Sequence, residues 1–315
     1  GSKRSCGRWA SIRTNRHEVP RTNHRQTPPR PQTNHRQTPR MIRSSLTNEP
    51  MIGAVEAGGT KIICAVGSGP GERVRARATF ATTDDPARVL TQIAAWFESE
   101  QRNCGPIAAF GVASFGPIDL DKQSPTYGYI TSTPKPGWRD TNIVGRLQGV
   151  FPGVPVGFDT DVNGAALGEF FWGRARDIDD FVYITIGTGI GAGAMIGGHL
   201  AHGLVHPEMG HIRLPRLPGD TFAGVCRYHG ACWEGLCSGP AMLARTGIPA
   251  ERLPEDHAAW GIEAAYVGLA ISNLVCVLSP RKVILGGSVR KGGLLGEDRF
   301  FLEVRRAVTT SLNGY

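Results

Sequence analysis

The chain shows no secretory leader pattern, and no apolar run reads as long as the roughly 20 residues needed to cross a bilayer. A membrane-spanning role is therefore excluded as an expectation. It also lacks a disulfide framework. Its seven cysteines are an odd number, and their spacing does not resemble that of a secreted, cross-linked domain, so a reducing cytoplasm is the expected compartment. Cys6 stands in the basic tail, Cys64, Cys104 and Cys276 read as small core residues, and Cys226, Cys232 and Cys237 cluster with histidines. Most of the chain also lacks net charge. The total is +8, but residues 1–50 hold eleven Lys/Arg against Glu18 and Glu49, leaving −1 for the other 265. A charge argument for nucleic-acid binding by the folded part therefore fails. Finally, residues 1–50 lack any sustained apolar period and contain a repeat, TNHRQTP at 22–28 and 33–39. Such a segment cannot bury enough apolar surface to offset its ordering entropy. It reads as a disordered added extension, with a basic arm for an acidic partner as the alternative.

What remains is ample for a packed core, since 40% of the chain is hydrophobic. The order begins at Met51 with a strand, a glycine turn and a second strand through Val66, then a third strand over 75–82. A helix is predicted over 86–101 from its Asp-Pro start and the spacing of Val89, Leu90, Ile93, Ala94 and Phe97. Strands follow at 107–114 and 154–158, and a helix at 164–172. A buried strand at 181–186 leads through a glycine loop to another strand at 193–196. Residues 117–138 form a long loop, and 199–240 are irregular. An apolar helix is expected at 262–278, a strand at 282–285 and a helix at 300–312. The alternation predicts an α/β fold with mixed sheets. The repeated theme of a strand followed by a glycine turn, at Gly58 and at Gly187, suggests two similar lobes.

Five clusters can carry chemistry. In Glu56-Ala57-Gly58-Gly59-Thr60-Lys61, paired glycines let backbone N–H groups approach a phosphate, and Glu56 could hold a magnesium ion; a plain hairpin turn is the alternative. Gly187-Thr188-Gly189-Ile190-Gly191-Ala192-Gly193 reads as an anion cradle, or as a glycine-rich hairpin. Asp159-Thr160-Asp161-Val162-Asn163 places carboxylates at a strand end, where one can accept a proton from a hydroxyl; helix capping by Asp161 or Asn163 is the alternative. His206-Pro207-Glu208-Met209-Gly210-His211 precedes Cys226-x2-His229-x2-Cys232. Thiolate and imidazole donors at that spacing suit a structural Zn²⁺ held by His211, Cys226, His229 and Cys232. Cys237 is a fifth candidate, and scattered core residues are the alternative. Last, Val283-Ile284-Leu285-Gly286-Gly287-Ser288 is a strand ending in small residues that admits a flat nucleotide, or is a strand followed by a turn.

In this order, EAGGTK, SFGPID, TDVNGAALGE, GTGIGAG, HPEMGH, CRYHGAC, WEGLCSGPA and KVILGGSV closely resemble the ROK family of bacterial sugar kinases, within it the fructokinase group, over Met51 to Tyr315. The segment Ser124–Trp138 adds to the resemblance. It implies a two-lobed, actin-like (ribonuclease H-like) ATPase fold, with lobes over 51–158 and 159–315 and the zinc insertion in the second. It implies transfer of the ATP γ-phosphate to the 6-hydroxyl of D-fructose, with mannose or glucose acceptance as the broader alternative. A non-catalytic sugar-binding regulator is a further one. Carried over by position, Asp161 is the general base, and Asn163, Glu208, His211 and Glu234 line the sugar. Gly58, Gly59, Thr60, Lys61, Gly187, Thr188, Gly189 and Gly191 flank the ATP phosphates, with Gly286 and Gly287 near the adenosine. The cofactors are ATP, Mg²⁺ and structural Zn²⁺, and the partners are a hexose and a second copy in a homodimer, with no nucleic acid and no membrane. The family's repressors carry an N-terminal helix-turn-helix, which the prolines at 20, 28, 29, 31 and 39 oppose. Members also continue past Tyr315 with a helix and a nucleotide-side loop. Ser288 stands where a third glycine is common, and Cys237 where a small apolar residue is usual.

Overall fold

Residues 49–315 are described by a computed structural model of the chain; the expected disordered extension, apart from Glu49 and Pro50, lies outside them. The first ordered segment is a hairpin, β1 (Met51–Ala57) with β2 (Lys61–Gly67), followed by β3 (Val74–Ala81). Alternate residues point inward, Val55 and Ala57 from β1, then Ile62, Cys64 and Val66 from β2, as a half-buried sheet requires. Helix α1 (Pro86–Cys104) starts where Asp85 accepts the Arg88 N–H at 3.0 Å and Pro86 opens the first turn. Its stripe of Val89, Leu90, Ile93, Ala94 and Phe97 covers the sheet. Then come β4 (Ile107–Ser114), a short ribbon of β5 (Tyr129–Ile130) with β6 (Thr141–Asn142), α2 (Ile143–Val150) and β7 (Val156–Thr160). Sheet order is β3-β2-β1-β4-β7, with β1, β4 and β7 parallel and the hairpin antiparallel.

The second sheet repeats the theme. After α3 (Asp161–Phe171), β8 (Phe181–Ile186) and β9 (Ile190–Ile196) form an antiparallel hairpin, flanked by β10 (His199–Leu200) and by β11 (Lys282–Gly286) parallel to β8. Helices α4 (Trp233–Cys237), α5 (Gly239–Thr246), α6 (Ala259–Leu278) and α7 (Glu297–Leu312) complete it. Each sheet has its own core. The first is built on Phe97, Phe110, Trp138 and Phe151, the second on Trp233, Tyr266, Trp260 and Phe300.

Several local expectations change. The strand expected to end at 158 runs to Thr160, because Ala113 and Ser114 of β4 pair with Asp159 and Thr160. The helix expected from 164 starts at Asp161. Its N-cap is Thr160, whose Oγ1 accepts from Asn163 N, so neither Asp161 nor Asn163 caps it. The glycine loop is shorter than expected, since β9 begins at Ile190. Helix α2 was not foreseen; its Gly145 and Gly149 blurred the period, while Asn142 caps it. Cys64 is buried as expected, but Cys104 is only partly so, and Cys276 is exposed on the outer face of α6.

The apolar-run expectation also fails. Helix α6 has 20 residues with one charge, Glu263, and by length and composition alone could cross a membrane. In the fold it is the central helix of the second core, closely packed on α7 where Gly268 faces Ala307. Glu263 is 1% exposed, its Oε1 lacks a partner, and it faces the Cys237 thiol. Burial holds this carboxyl well above the ordinary carboxylate range, although the Cys237 thiol and the Arg245 charge oppose the shift. A carboxyl raised in the folded state stabilises fully below about 4.3, its ordinary value, and loses that contribution as pH rises. The Glu263→Gln variant should therefore melt progressively higher than the parent as pH is raised from 5 to 9, by about 2–4 °C for each kcal/mol recovered. Melting curves that keep a constant offset across that range would refute the assignment.

Candidate active site and metal centre

Parallel strands β1, β4 and β7 of one sheet and β8 and β11 of the other deliver their carboxyl ends to the candidate site. Helix α3 ties the two together. Gly191 and Gly193 of β9 let its first turn approach, a Cβ on Gly191 lying 2.8 Å from Val162 Cγ1 and one on Gly193 2.6 Å from Val162 O. Gly164 does the same toward β4, 2.6 Å from Ala113 Cβ. Asp161 opens this helix and accepts the Val162 N–H at 2.8 Å. Burial, and then the carboxylates of Glu56 and Glu208, push it up to about 6 against that hydrogen bond. Glu56 comes from β1 and Glu208 from the loop after β10, so three acids from distant segments converge.

The expected sugar residues do not all converge. Asn163 is 2% exposed. Its Nδ2 donates to Asp159 Oδ1 at 2.7 Å and lies 3.3 Å from His202 Nε2. His202 in turn reaches Asp159 Oδ2 at 3.0 Å. Asn163 is thus bound into a cluster with Asp159 and His202, with its Oδ1 facing Gly193. Glu208 bonds His206, Nε2 to Oε1 3.0 Å. Glu234 Oε2 accepts the Ile190 N–H at 3.0 Å and so braces the β8–β9 turn. Reasoning from the sequence missed His202, and it named His206 and Gly116 only within the motifs HPEMGH and SFGPID, without a role.

The glycines sort by what the fold needs. Gly286 must lack a Cβ because Tyr183 Oη crowds it, and Gly287 sits at φ 84° against Ile186 O. Gly191 packs on Val162, and Gly189 on Glu234. Gly59 has no atom within 4 Å of its Cβ position, and Gly187 only Ser288 Oγ at 3.9 Å. Neither packing nor positive φ explains these two, which stand in the β1–β2 and β8–β9 turns. The first turn, Gly58–Lys61, is closed by Gly58 N to Lys61 O (3.0 Å) and pinned by Thr82 Oγ1 to Gly58 O (2.8 Å). Thr60 and Lys61 stay exposed. Thr188 lies between Gly187 and Gly189 in the second turn, whose Gly187 O accepts from Gly239 N at 2.7 Å. Beside it a hollow of about 220 Å³ is lined by Gly239, Leu243, Pro249, Ala250, Glu251, Ser288 and Val289.

His211, Cys226, His229 and Cys232 bring their donor atoms within 4.8 Å of one another. His211 Nδ1 lies 3.5 Å from Cys232 Sγ and 3.8 Å from Cys226 Sγ, which is 3.7 Å from His229 Nδ1. Tetrahedral zinc with bonds of about 2.0–2.3 Å has ligand–ligand edges of about 3.6 Å, so the quartet fits. Burial and the adjacent Cys226 push the Cys232 thiol up to about 11, so a thiolate here calls for a cation. Cys237 is not among these donors; it faces Glu263 instead. The knuckle turn is closed by Gly230 N to Cys226 O at 2.8 Å, with Gly230 at φ 58°. Since His211 turns Nδ1 to the quartet, its Nε2 is left for another partner.

Two mixed sheets, each opened by a hairpin with a glycine turn and joined through a helix that begins in a carboxylate, define the actin-like ATPase class of two-lobed sugar kinases. The chain belongs to the ROK family, whose pattern matches residues 52–315. It is 42% identical over 265 residues to the fructokinase of Pediococcus pentosaceus, covering 84% of this chain and 88% of that one. With the fructokinase of Lactococcus lactis subsp. cremoris it shares 39% over 264 residues, 84% and 86% of the two chains. Among solved structures, a ROK family glucokinase from Streptomyces griseus in complex with glucose and AMPPNP superimposes with a TM-score of 0.62 at 25% identity, over 83% of this chain and 89% of that one.

Proposed function

We propose that this protein is an ATP-dependent fructokinase that phosphorylates the 6-hydroxyl of D-fructose. The observation that carries the reading is the raised Asp161 carboxyl, set with Glu56 and Glu208 where the two glycine-turn sheets meet. Kinship to named fructokinases supports the choice of sugar. In this reading Asp161 accepts the proton of the sugar hydroxyl as its oxygen bonds to the γ-phosphorus, and ADP leaves. Backbone N–H groups of the turns at Gly59 and Gly187 face the phosphates, because those glycines answer no need of the fold. The hollow at Ser288 and Val289 takes the nucleoside. Glu208 and His211 Nε2 meet the sugar hydroxyls, and Glu234 keeps the second turn in place.

Mg²⁺ would neutralise phosphate charge, with Glu56 as the carboxylate that would hold it, directly or through water. Zinc would hold the insertion that carries His211 and leads into α4, where Glu234 stands. None of the six described cysteines is paired in a disulfide, which supports a cytoplasmic enzyme, and a homodimer is its proposed state. The test is ADP release in a coupled assay with Mg-ATP and fructose, mannose, glucose or N-acetylated hexoses. Fructose should give the highest kcat/KM, by about tenfold or more over glucose. No turnover on any hexose would remove the kinase reading, and a preference for glucose or mannose would replace fructose.

A further inference from the structure

His206 has no part in the chemistry above, yet it is only 5% exposed. Its Nε2 lies 3.0 Å from Glu208 Oε1. A carboxylate oxygen accepts, so Nε2 is the donor of this bond. Nδ1 is buried and has no partner among the described residues. The imidazole therefore makes a single side-chain hydrogen bond, and that bond goes to Glu208. The other Glu208 oxygen has no hydrogen bond among the described residues, and the side chain is 45% exposed.

The pair is covered from the first sheet. Gly116, just past β4, would place a Cβ 3.2 Å from His206 Nε2 and 3.7 Å from Glu208 Oε1. Gly116 is not at positive φ, so its missing side chain serves close approach rather than backbone conformation. One carboxylate is thus gripped by a buried ring from one sheet's loop and roofed by bare backbone from the other's.

We propose that His206 is a positioning residue for sugar recognition: it holds the Glu208 carboxylate in one orientation beneath Gly116, with its free oxygen presented to the sugar. The proposal rests on the reading of Glu208 as a sugar ligand. A glutamate side chain left free would have to be ordered on binding, which costs roughly tenfold in affinity, and it could turn to solvent. Preorganisation avoids that cost.

The test compares His206→Leu, His206→Gln and Gly116→Ala in the full chain, with KM for fructose, KM for ATP, kcat and thermal midpoint measured for each. His206→Leu should raise the fructose KM about tenfold or more and leave the ATP KM within about twofold. Glutamine can offer an amide N–H from the ε position, so His206→Gln should recover most of that loss. Gly116→Ala should also raise the fructose KM selectively. Combined with His206→Leu it should do less than the product of the two, because both act on one carboxylate. A purely structural role would lower the thermal midpoint without splitting the two KM values. An unchanged fructose KM in folded His206→Leu, or equal impairment in the Leu and Gln variants, overturns the proposal. Should His206→Leu fail to fold, an unchanged fructose KM in Gly116→Ala overturns it. Absence of turnover by the parent on any hexose would instead remove the kinase reading itself, and an unchanged fructose KM in Glu208→Gln would remove the reading of Glu208 as a sugar ligand, so the failures are distinguishable.

Discussion

Asp161→Asn should lower kcat by about 10²–10⁴-fold while leaving the fold intact. The substitution keeps the shape at the start of α3 and removes only the ability to take a proton. It also removes a carboxyl that the fold holds at about 6 by burial and by facing Glu56 and Glu208. The raised value sets the sign of two further results. A carboxyl raised in the folded state stabilises fully below its ordinary 3.8, and that contribution is lost as pH rises to about 6. At pH 7.5 the Asp161→Asn variant should therefore melt no lower than the parent. Catalysis has the opposite slope, because the base is the ionised form. The parent's kcat/KM should fall below pH 6, to about a tenth of its plateau at pH 5. Glu56→Gln should move that midpoint downward by removing one of the two carboxylates that raise it. Retention of full activity by the Asp161→Asn variant would falsify the assignment of the base.

The second large effect concerns the metal. Purified protein should contain about one zinc per chain, and Cys232→Ser should abolish it. Cys232 is completely buried at the N-cap of α4, two residues before Glu234. The insertion from Leu204 to Cys232 has a 3₁₀ turn at Met209–His211 but no α-helix or strand of its own, so a bound metal would cross-link His211 to the Cys226–Cys232 turn. Loss of the metal releases His211 on one side and the start of α4 on the other. The thermal midpoint should drop by roughly 10 °C. Activity should fall in parallel, because Glu234 no longer braces Ile190 and the β8–β9 turn. Metal analysis together with calorimetry of the parent and the Cys232→Ser variant tests this. A folded, fully active, metal-free protein would sink it.

Residues that act through local pattern were legible in the chain. The hairpin at β1–β2 shows as period-2 alternation around Gly58-Gly59, α1 as an Asp-Pro start and a 3.6-residue apolar stripe, and the metal quartet as Cys-x2-His-x2-Cys. Other features were hidden because they depend on what lies across space. Helix α6 reads in the sequence as an apolar helix too short to span a bilayer; it extends to 20 residues, long and apolar enough to do so, and packs in the second core. Asn163 looks like a cleft residue until it is seen bonded to Asp159 and His202. Thr160 supplies the cap that the alternative reading gives to Asp161 or Asn163, because β7 runs two residues further in register with β4. The glycines were equally ambiguous. Seven of them were expected at the ATP, yet Gly58, Gly189, Gly191, Gly286 and Gly287 answer to packing or backbone conformation, and of the seven only Gly59 and Gly187 are left unexplained by the fold.

The sequence by itself determined the class: mixed α/β, two hairpin-led halves, a Cys/His quartet at metal-ligand spacing and an ordered set of ROK sugar-kinase motifs. Spacing along the chain suffices for these, because periodicity, turn chemistry and ligand intervals are local properties. The tertiary structure decided which acids meet. Glu56, Asp161 and Glu208 are separated by 105 and 47 residues, and Gly116 meets His206 across 90. The raised Asp161 carboxyl and the grip on Glu208 come from burial and through-space charge, which no local spacing encodes.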